Sequence, residues 1–433
     1  MKIISFLLIL TTVGLLSCNN TQTNNNKFSS SDRILKLQTT KHKGCGLFSP
    51  SASSLPFQKP SENHLGLDFK IPKTIDSVKI ATIALDIKPF FYKEFKTGNI
   101  DTVSFNQMAE ELRIDTISLP KPEITQNYLS ILKGNINDST IIIVDQNNNL
   151  DFSDDTIREI EPMQWKSTKS LIEFNYQIFN GSDIVSDHSW INIGKYKNSV
   201  GLLSFVSQHV SSTFSIDDNS YSIAIFDDQW SCTYDRINIA LIEENGIKKD
   251  TLFTQDYLKR GEYLKLGNYY YKFENISNDG SRIKLIKEDN FEGKIGTQIG
   301  MFAPDFKCHS TQGDTISLKD YKEKYLLLVN VSSCWSKVSS YACYKDLTKA
   351  FNEKLNFLGI DNSPNFLQQN IKELNLKGKF IIAEDNNNSI QKNYRPYFCS
   401  RTCFLISPEG RILDKFEIFD WKSALSKHPG LNQ

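Results

Sequence analysis

Tyr325-Leu-Leu-Leu-Val-Asn-Val331 runs directly into Ser332-Ser-Cys334-Trp335-Ser336-Lys-Val-Ser339. The first part is an almost unbroken apolar run, the pattern of a strand buried on both faces inside a parallel sheet. Ser336–Phe351 then has helical spacing and places Cys343, Leu347, Ala350 and Phe351 on one stripe. Downstream, the spacing predicts a strand over Asn356–Ile360 and a helix over Pro364–Leu374, with proline in the first turn. A strand over Phe380–Ala383 and a short helix over Ile390–Tyr394 follow. The last element is a hairpin, Thr402-Cys-Phe-Leu-Ile406 to Leu413, turning at Pro408-Glu-Gly410. Upstream lies Gly296-x-x-Ile-Gly300-Met-Phe-Ala303-Pro304-Asp305-Phe306, then a turn and short strand over Thr311–Leu318. Strands alternating with helices in this way predict an α/β domain over residues 296–433.

This order resembles the thioredoxin superfamily. The G-x-x-A-P-D-F opening resembles its redoxin (AhpC/TSA-type) and TlpA/ResA-like branch, membrane-attached thiol–disulfide proteins related to peroxiredoxins. The resemblance implies that the central strand runs into V-N-F-W-A-S-W-C-x-x-C, with the first cysteine at a helix N-terminus. There the helix dipole favours the thiolate that attacks a disulfide, and the second cysteine resolves the mixed disulfide. Without a gap, Trp335 falls on the family tryptophan, and Ser336 and Ser339 fall on the two cysteines. A serine hydroxyl cannot carry out thiol–disulfide exchange, whereas Ser336 is a good helix N-cap. The family's facing loop carries a cis-proline followed by threonine. Here that pair is Arg401-Thr402, and a trans bond is expected because a non-proline cis bond costs about 2.5–4 kcal/mol.

Two uses of the remaining thiols are open. Cys334 lies two residues before Ser336, and Cys399 two before Arg401. If the loops face each other, these thiols can bridge the old active site, or Cys334 can act as a peroxidatic thiol, with Cys399 or Cys343 as partner. Alternatively the thiols are structural. Cys343 on its helix stripe and Cys403 in the hairpin then serve as small buried hydrophobes. The favoured expectation is a non-catalytic domain acting as a binding or scaffold module.

Residues 165–295 read as a β-rich, sandwich-like domain. In Leu171–Ile178, Ile172, Phe174, Tyr176 and Ile178 alternate with Glu173, Asn175 and Gln177. Similar runs recur at Trp190–Gly194, Ser222–Phe226, Arg236–Ile242, Tyr263–Leu266, Tyr269–Phe273 and Arg282–Ile286. Residues 69–164 read as a small mixed α/β region, with a strand over Ser77–Ile87, helical spacing over Phe105–Arg113 and a short strand over Ile141–Val144. After it comes Asp145-Gln-Asn147-Asn-Asn149-Leu-Asp151-Phe-Ser153-Asp154-Asp155. Alternating oxygen side chains suit calcium, so Asp145, Asn147, Asn149, Asp151 and Asp155 are candidate ligands. Leu150 and Thr156 depart from the glycine and glutamate of an EF-hand loop. An Asx-rich turn is the other reading.

At the N-terminus, Lys2 precedes an apolar run from Ile3 to Leu16, of signal-peptide length. Leu15-Leu-Ser-Cys18 resembles a bacterial lipobox, which implies cleavage after residue 17 and a lipid on Cys18. Residues 18–68 then read as a flexible tether and irregular lead-in. The implied place is the bacterial cell envelope, periplasmic or surface-facing. The implied partners are the membrane, through Cys18, and another envelope protein. Lys and Arg total 50 against 50 Asp and Glu, so no basic field for nucleic acid exists. No organic cofactor is expected.

Overall fold

The structure is a computed structural model. It describes residues 26–62, 67–119, 127–197, 201–227, 231–331, 339–351, 354–382, 389–394 and 401–431.

The N-terminal two thirds form two sandwiches of antiparallel strands. In the first, a meander of Asp76–Ala84, Tyr128–Ile136, Ser139–Val144 and Ile157–Glu159 packs against a sheet in the order Ser53–Ser54, Leu202–Val206, Ile184–Lys195, Ile172–Phe179. Their shared core holds Ile83, Leu129, Ile131 and Val144 against Phe174, Tyr176, Ile178 and Ile191. In the second, a sheet built on Gln208–Ile216, Asn219–Asp227 and Ile237–Glu244 faces Tyr263–Leu266, Tyr269–Ile276 and Arg282–Glu288. Phe214, Ile223, Ile225 and Ile239 meet Leu264, Tyr271, Phe273 and Leu285 in that core. Period-two alternation drives both, since each sheet needs one apolar face to bury.

Two expectations for this region are corrected. The boundary near residue 165 falls inside the first sandwich, because Ile172–Phe179 and Ile184–Lys195 cover the meander of the preceding region. The lead-in is not irregular either. Asn26–Phe28 pairs in parallel with Gln208–Ile216, Thr40–Lys43 pairs with the same strand, and Ile34–Gln38 completes the Arg282–Glu288 edge. Leu35 and Leu37 are fully buried on the inner face of that edge. Five residues of alternation between Ser- and Lys-rich stretches are too short a signal to register on their own. The strand read as Ser77–Ile87 ends at Ala84, and Ile87–Lys96 is a helix. The second helix is Thr102–Leu112, capped by the Asp101 carboxylate on the Val103 and Ser104 N–H groups.

The C-terminal domain is a five-stranded mixed sheet. In chain order its elements are β1 (Tyr325–Asn330), α1 (Ser339–Phe351), β2 (Leu355–Asp361), α2 (Pro364–Leu374), β3 (Lys379–Ile382), α3 (Ser389–Tyr394), β4 (Thr402–Ile406) and β5 (Ile412–Glu417). Their spatial order is β3-β2-β1-β4-β5, with β1, β2 and β3 parallel, β4 antiparallel to β1 and β5 antiparallel to β4. β1 is central, and Leu326, Leu327, Leu328 and Val329 are essentially solvent-free. One face packs Leu327 and Val329 under Tyr341, Tyr344 and Leu347 of α1, and the other packs Leu326 and Leu328 with Ile390 and Tyr394 of α3.

Candidate functional site

The segment that follows β1 carries Cys334, Trp335 and Ser336, and the segment that precedes β4 carries Cys399. Residues 332–338 and 395–400 lie outside the described residues, and with them Cys334, Trp335, Ser336 and Cys399. Cys18 lies outside as well. Ser339 opens α1.

Arg401 and Thr402 are placed. Arg401 has φ +47°, in the left-handed region that disfavours an L side chain. No described peptide bond is cis. The Arg401 carbonyl accepts the Ile418 N–H at 3.0 Å. Its guanidinium carbon lies 4.9 Å from the Phe419 ring centre, a cation–π distance, while its Nε is buried with no partner. Thr402 pairs with Glu417 across the hairpin. Burial pushes the Glu417 carboxyl up, the Arg401 charge opposes this, and Asp420 adds to it.

The described thiols of this domain are unsuited to nucleophilic work. Cys403 is fully buried in β4 and its pKa is driven well above the ordinary value by burial. Burial pushes Cys308 up to about 12 and also raises Cys343. A protonated thiol neither attacks a disulfide nor binds a metal well. Cys403 is buried in a core cluster and Cys343, half-buried, packs against it. Cys232, Cys308, Cys343 and Cys403 are free thiols.

Sequence reasoning missed a cleft of about 980 Å³ beside this hairpin. Its floor is one face of β4–β5, with Thr402, Phe404, Lys415 and Glu417, and its far wall is the 252–263 segment of the second sandwich, including Tyr257 and Arg260. The connecting segment holds the two walls in place. The Phe291 ring stacks on Tyr270 with centroids 3.7 Å apart, and Arg411 donates to the carbonyls of Glu292 and Gly300 at 2.9 and 2.8 Å. No signal in a single sequence marks such a cleft, because its walls are more than a hundred residues apart.

The Asp145–Asp155 loop is closed by its own hydrogen bonds. The buried Asp145 carboxylate accepts the Asn149 and Leu150 N–H groups at 3.0 and 2.9 Å. The Asn149 side-chain oxygen accepts the Asp151 N–H at 2.8 Å, and the Asn147 and Asn149 amides donate to Asp154. Leu150 has φ +65°, so the backbone keeps the conformation for which an EF-hand uses glycine. Asp151 forms an ion pair with Lys70, and that hydrogen bond holds its carboxyl down at about 2. Burial raises Asp145, and burial with neighbouring carboxylates pushes Asp155 up to about 6. The Asp155 Oδ2 is buried without a partner. Among the described residues, no three or more His, Cys, Asp and Glu side chains converge as a metal site would require.

A central apolar strand, this strand order and helices on both faces define a thioredoxin-like domain. Residues 299–415 match the AhpC/TSA family, so this part of the chain is similar to the redoxin domains of the thioredoxin superfamily. Among curated proteins, none matches the chain. Solved structures similar to it include a thiol:disulfide interchange protein from Bacteroides sp., with 18% identity, 33% of this chain and 93% of that one covered, and a TM-score of 0.27. A thiol-disulfide oxidoreductase from Bacteroides fragilis has 24% identity, covers 26% and 88%, and scores 0.24. The thioredoxin domain of a thiol-disulfide oxidoreductase from Bacteroides vulgatus has 20% identity, covers 27% and 86%, and also scores 0.24.

Proposed function

We propose that this protein is a lipoprotein of the bacterial envelope, held at a membrane through Cys18, whose redoxin domain binds another envelope protein instead of exchanging thiols and disulfides. The observation that carries this reading is the pair of serines, Ser336 and Ser339, at both motif positions. A hydroxyl cannot form the mixed disulfide on which exchange depends. Burial and raised pKa of Cys308, Cys343 and Cys403 support it, as does the rebuilt Arg401-Thr402 loop. The cleft beside Thr402 offers a surface of peptide dimensions with both aromatic and charged walls.

The test is insulin reduction by the full chain, with wild type and Cys334→Ala side by side, together with mass-spectrometric mapping of the thiols. Equal background rates support the binding role. Turnover that disappears in Cys334→Ala, or a Cys334–Cys399 disulfide, would replace it with a relocated oxidoreductase or thiol peroxidase.

A further inference from the structure

Asp86 sits where three parts of the fold meet. It follows the Asp76–Ala84 strand and occupies the N-cap position of the Ile87–Lys96 helix, yet its side chain caps no backbone N–H. It is 1% exposed. From the second sandwich, the turn between Tyr269–Ile276 and Arg282–Glu288 delivers Asn278. The Asn278 amide nitrogen donates to Asp86 Oδ2 at 3.3 Å and to the Phe179 carbonyl at 3.0 Å. These two donations fix which way the amide faces. They leave Asn278 Oδ1 buried with no donor, and Asp86 Oδ1 is likewise buried with no partner.

The two orphans have complementary needs. Asn278 Oδ1 is an acceptor lacking a donor, and Asp86 Oδ1 becomes a donor on taking up one proton. A carboxylic acid and a primary amide then close a ring of two hydrogen bonds, N–H to Oδ2 and O–H to Oδ1. Ionised, the same pair holds one hydrogen bond and two unpaired buried oxygens, each costing desolvation. We infer that a proton on Asp86 Oδ1 acts as a latch, closing the Asp86–Asn278 acid–amide pair and pinning the 277–281 turn to the start of the helix, and that its loss releases the turn.

The surroundings fit a titrating latch. Lys88 of the helix faces Asp86 but is held 2.7 Å from Asp235, so its charge is largely answered. Asp235 itself faces Asp86 from the 231–236 loop and repels its charged form. Burial and then Asp235 push the Asp86 carboxyl up to about 7, against the opposing pull of the Lys88 charge, the Asn278 amide and the Lys88 backbone N–H. Cys232 and Tyr234 of the same loop are kept neutral by burial, and Asp279 of the turn is bonded by Ser277 and Ser281. The turn is seated closely. Gly280 has φ +75°, and a Cβ there would meet the Tyr234 ring at 2.3 Å.

The folded carboxyl titrates above the unfolded one, so the folded state holds more protons between about pH 4 and 7. The latch's stabilisation is therefore complete below about pH 4, falls as pH rises through that window, and is gone above about 7. Asp86→Asn supplies the same donor and acceptor without titrating. In urea unfolding of the full chain, the wild-type folding constant divided by that of Asp86→Asn should fall by up to about tenfold per pH unit inside the window and level off above it. A ratio independent of pH overturns the latch. If Asp86→Asn does not fold, wild-type hydrogen exchange decides. Peptides covering 277–281, corrected for intrinsic exchange, should lose protection as pH passes about 7. Unchanged protection rejects the latch.

Discussion

At the residue scale, the proposed function turns on Ser336 and Ser339, which carry hydroxyls where the family resemblance implies two cysteines. Helix α1 begins at Ser339 and packs on the five-stranded sheet. Ser336→Cys with Ser339→Cys is expected to give insulin-reducing activity above the wild-type background, because it supplies the two thiols that exchange requires. The assay is the same one used for the wild type. No gain in the double variant would mean that the Arg401 loop, with its left-handed backbone, blocks substrate docking. Adding Arg401→Pro then separates the two contributions.

At the element scale, the Asp145–Asp155 loop shows how a short polar stretch can hold a defined shape. Asp145 accepts two backbone N–H groups, and its neighbours fill one another's hydrogen bonds. Asp145→Ala should cost roughly 1–3 kcal/mol, since two part-buried N–H groups lose this acceptor, and thermal unfolding would show a fall of several degrees. The calcium expectation is decided by calorimetry on the wild type. Heat of binding that is absent in Asp155→Asn establishes an ion, and a flat trace leaves an Asx-rich turn. Here the pattern of oxygen side chains was readable in the chain, but whether those oxygens face inward or bond each other was not.

At the scale of the whole molecule, the lead-in acts as a stitch. Its strands join sheets of both sandwiches, so this segment is built into the core. Leu37→Ala should destabilise the chain by about 2–4 kcal/mol, because it opens a cavity between two apolar sheets. Urea unfolding measures this directly, and a loss below about 0.5 kcal/mol, the range of surface substitutions, would show the strand to be dispensable. The connecting segment around Phe291 and Arg411 has a similar role, setting the second sandwich against the redoxin domain and so forming the cleft.

The sequence by itself determined the thioredoxin-like domain and the serines at positions 336 and 339. Its strands are long apolar runs, its helices carry clear stripes, and the order of elements is local information. β1 was read as Tyr325–Val331 and found as Tyr325–Asn330, and α2 was read and found as Pro364–Leu374. Tertiary structure alone decided what depends on distant partners. Leu35 and Leu37 gain meaning only beside Ile283 and Leu285, and Ile172–Phe179 belongs with the region before it because its apolar face matches that meander. The same holds for the cleft and for Asp86, whose proton matters only because Asn278, 192 residues away, is brought within hydrogen-bonding distance. Periodicity reports which face of an element seeks burial, and only packing selects the surface that covers it.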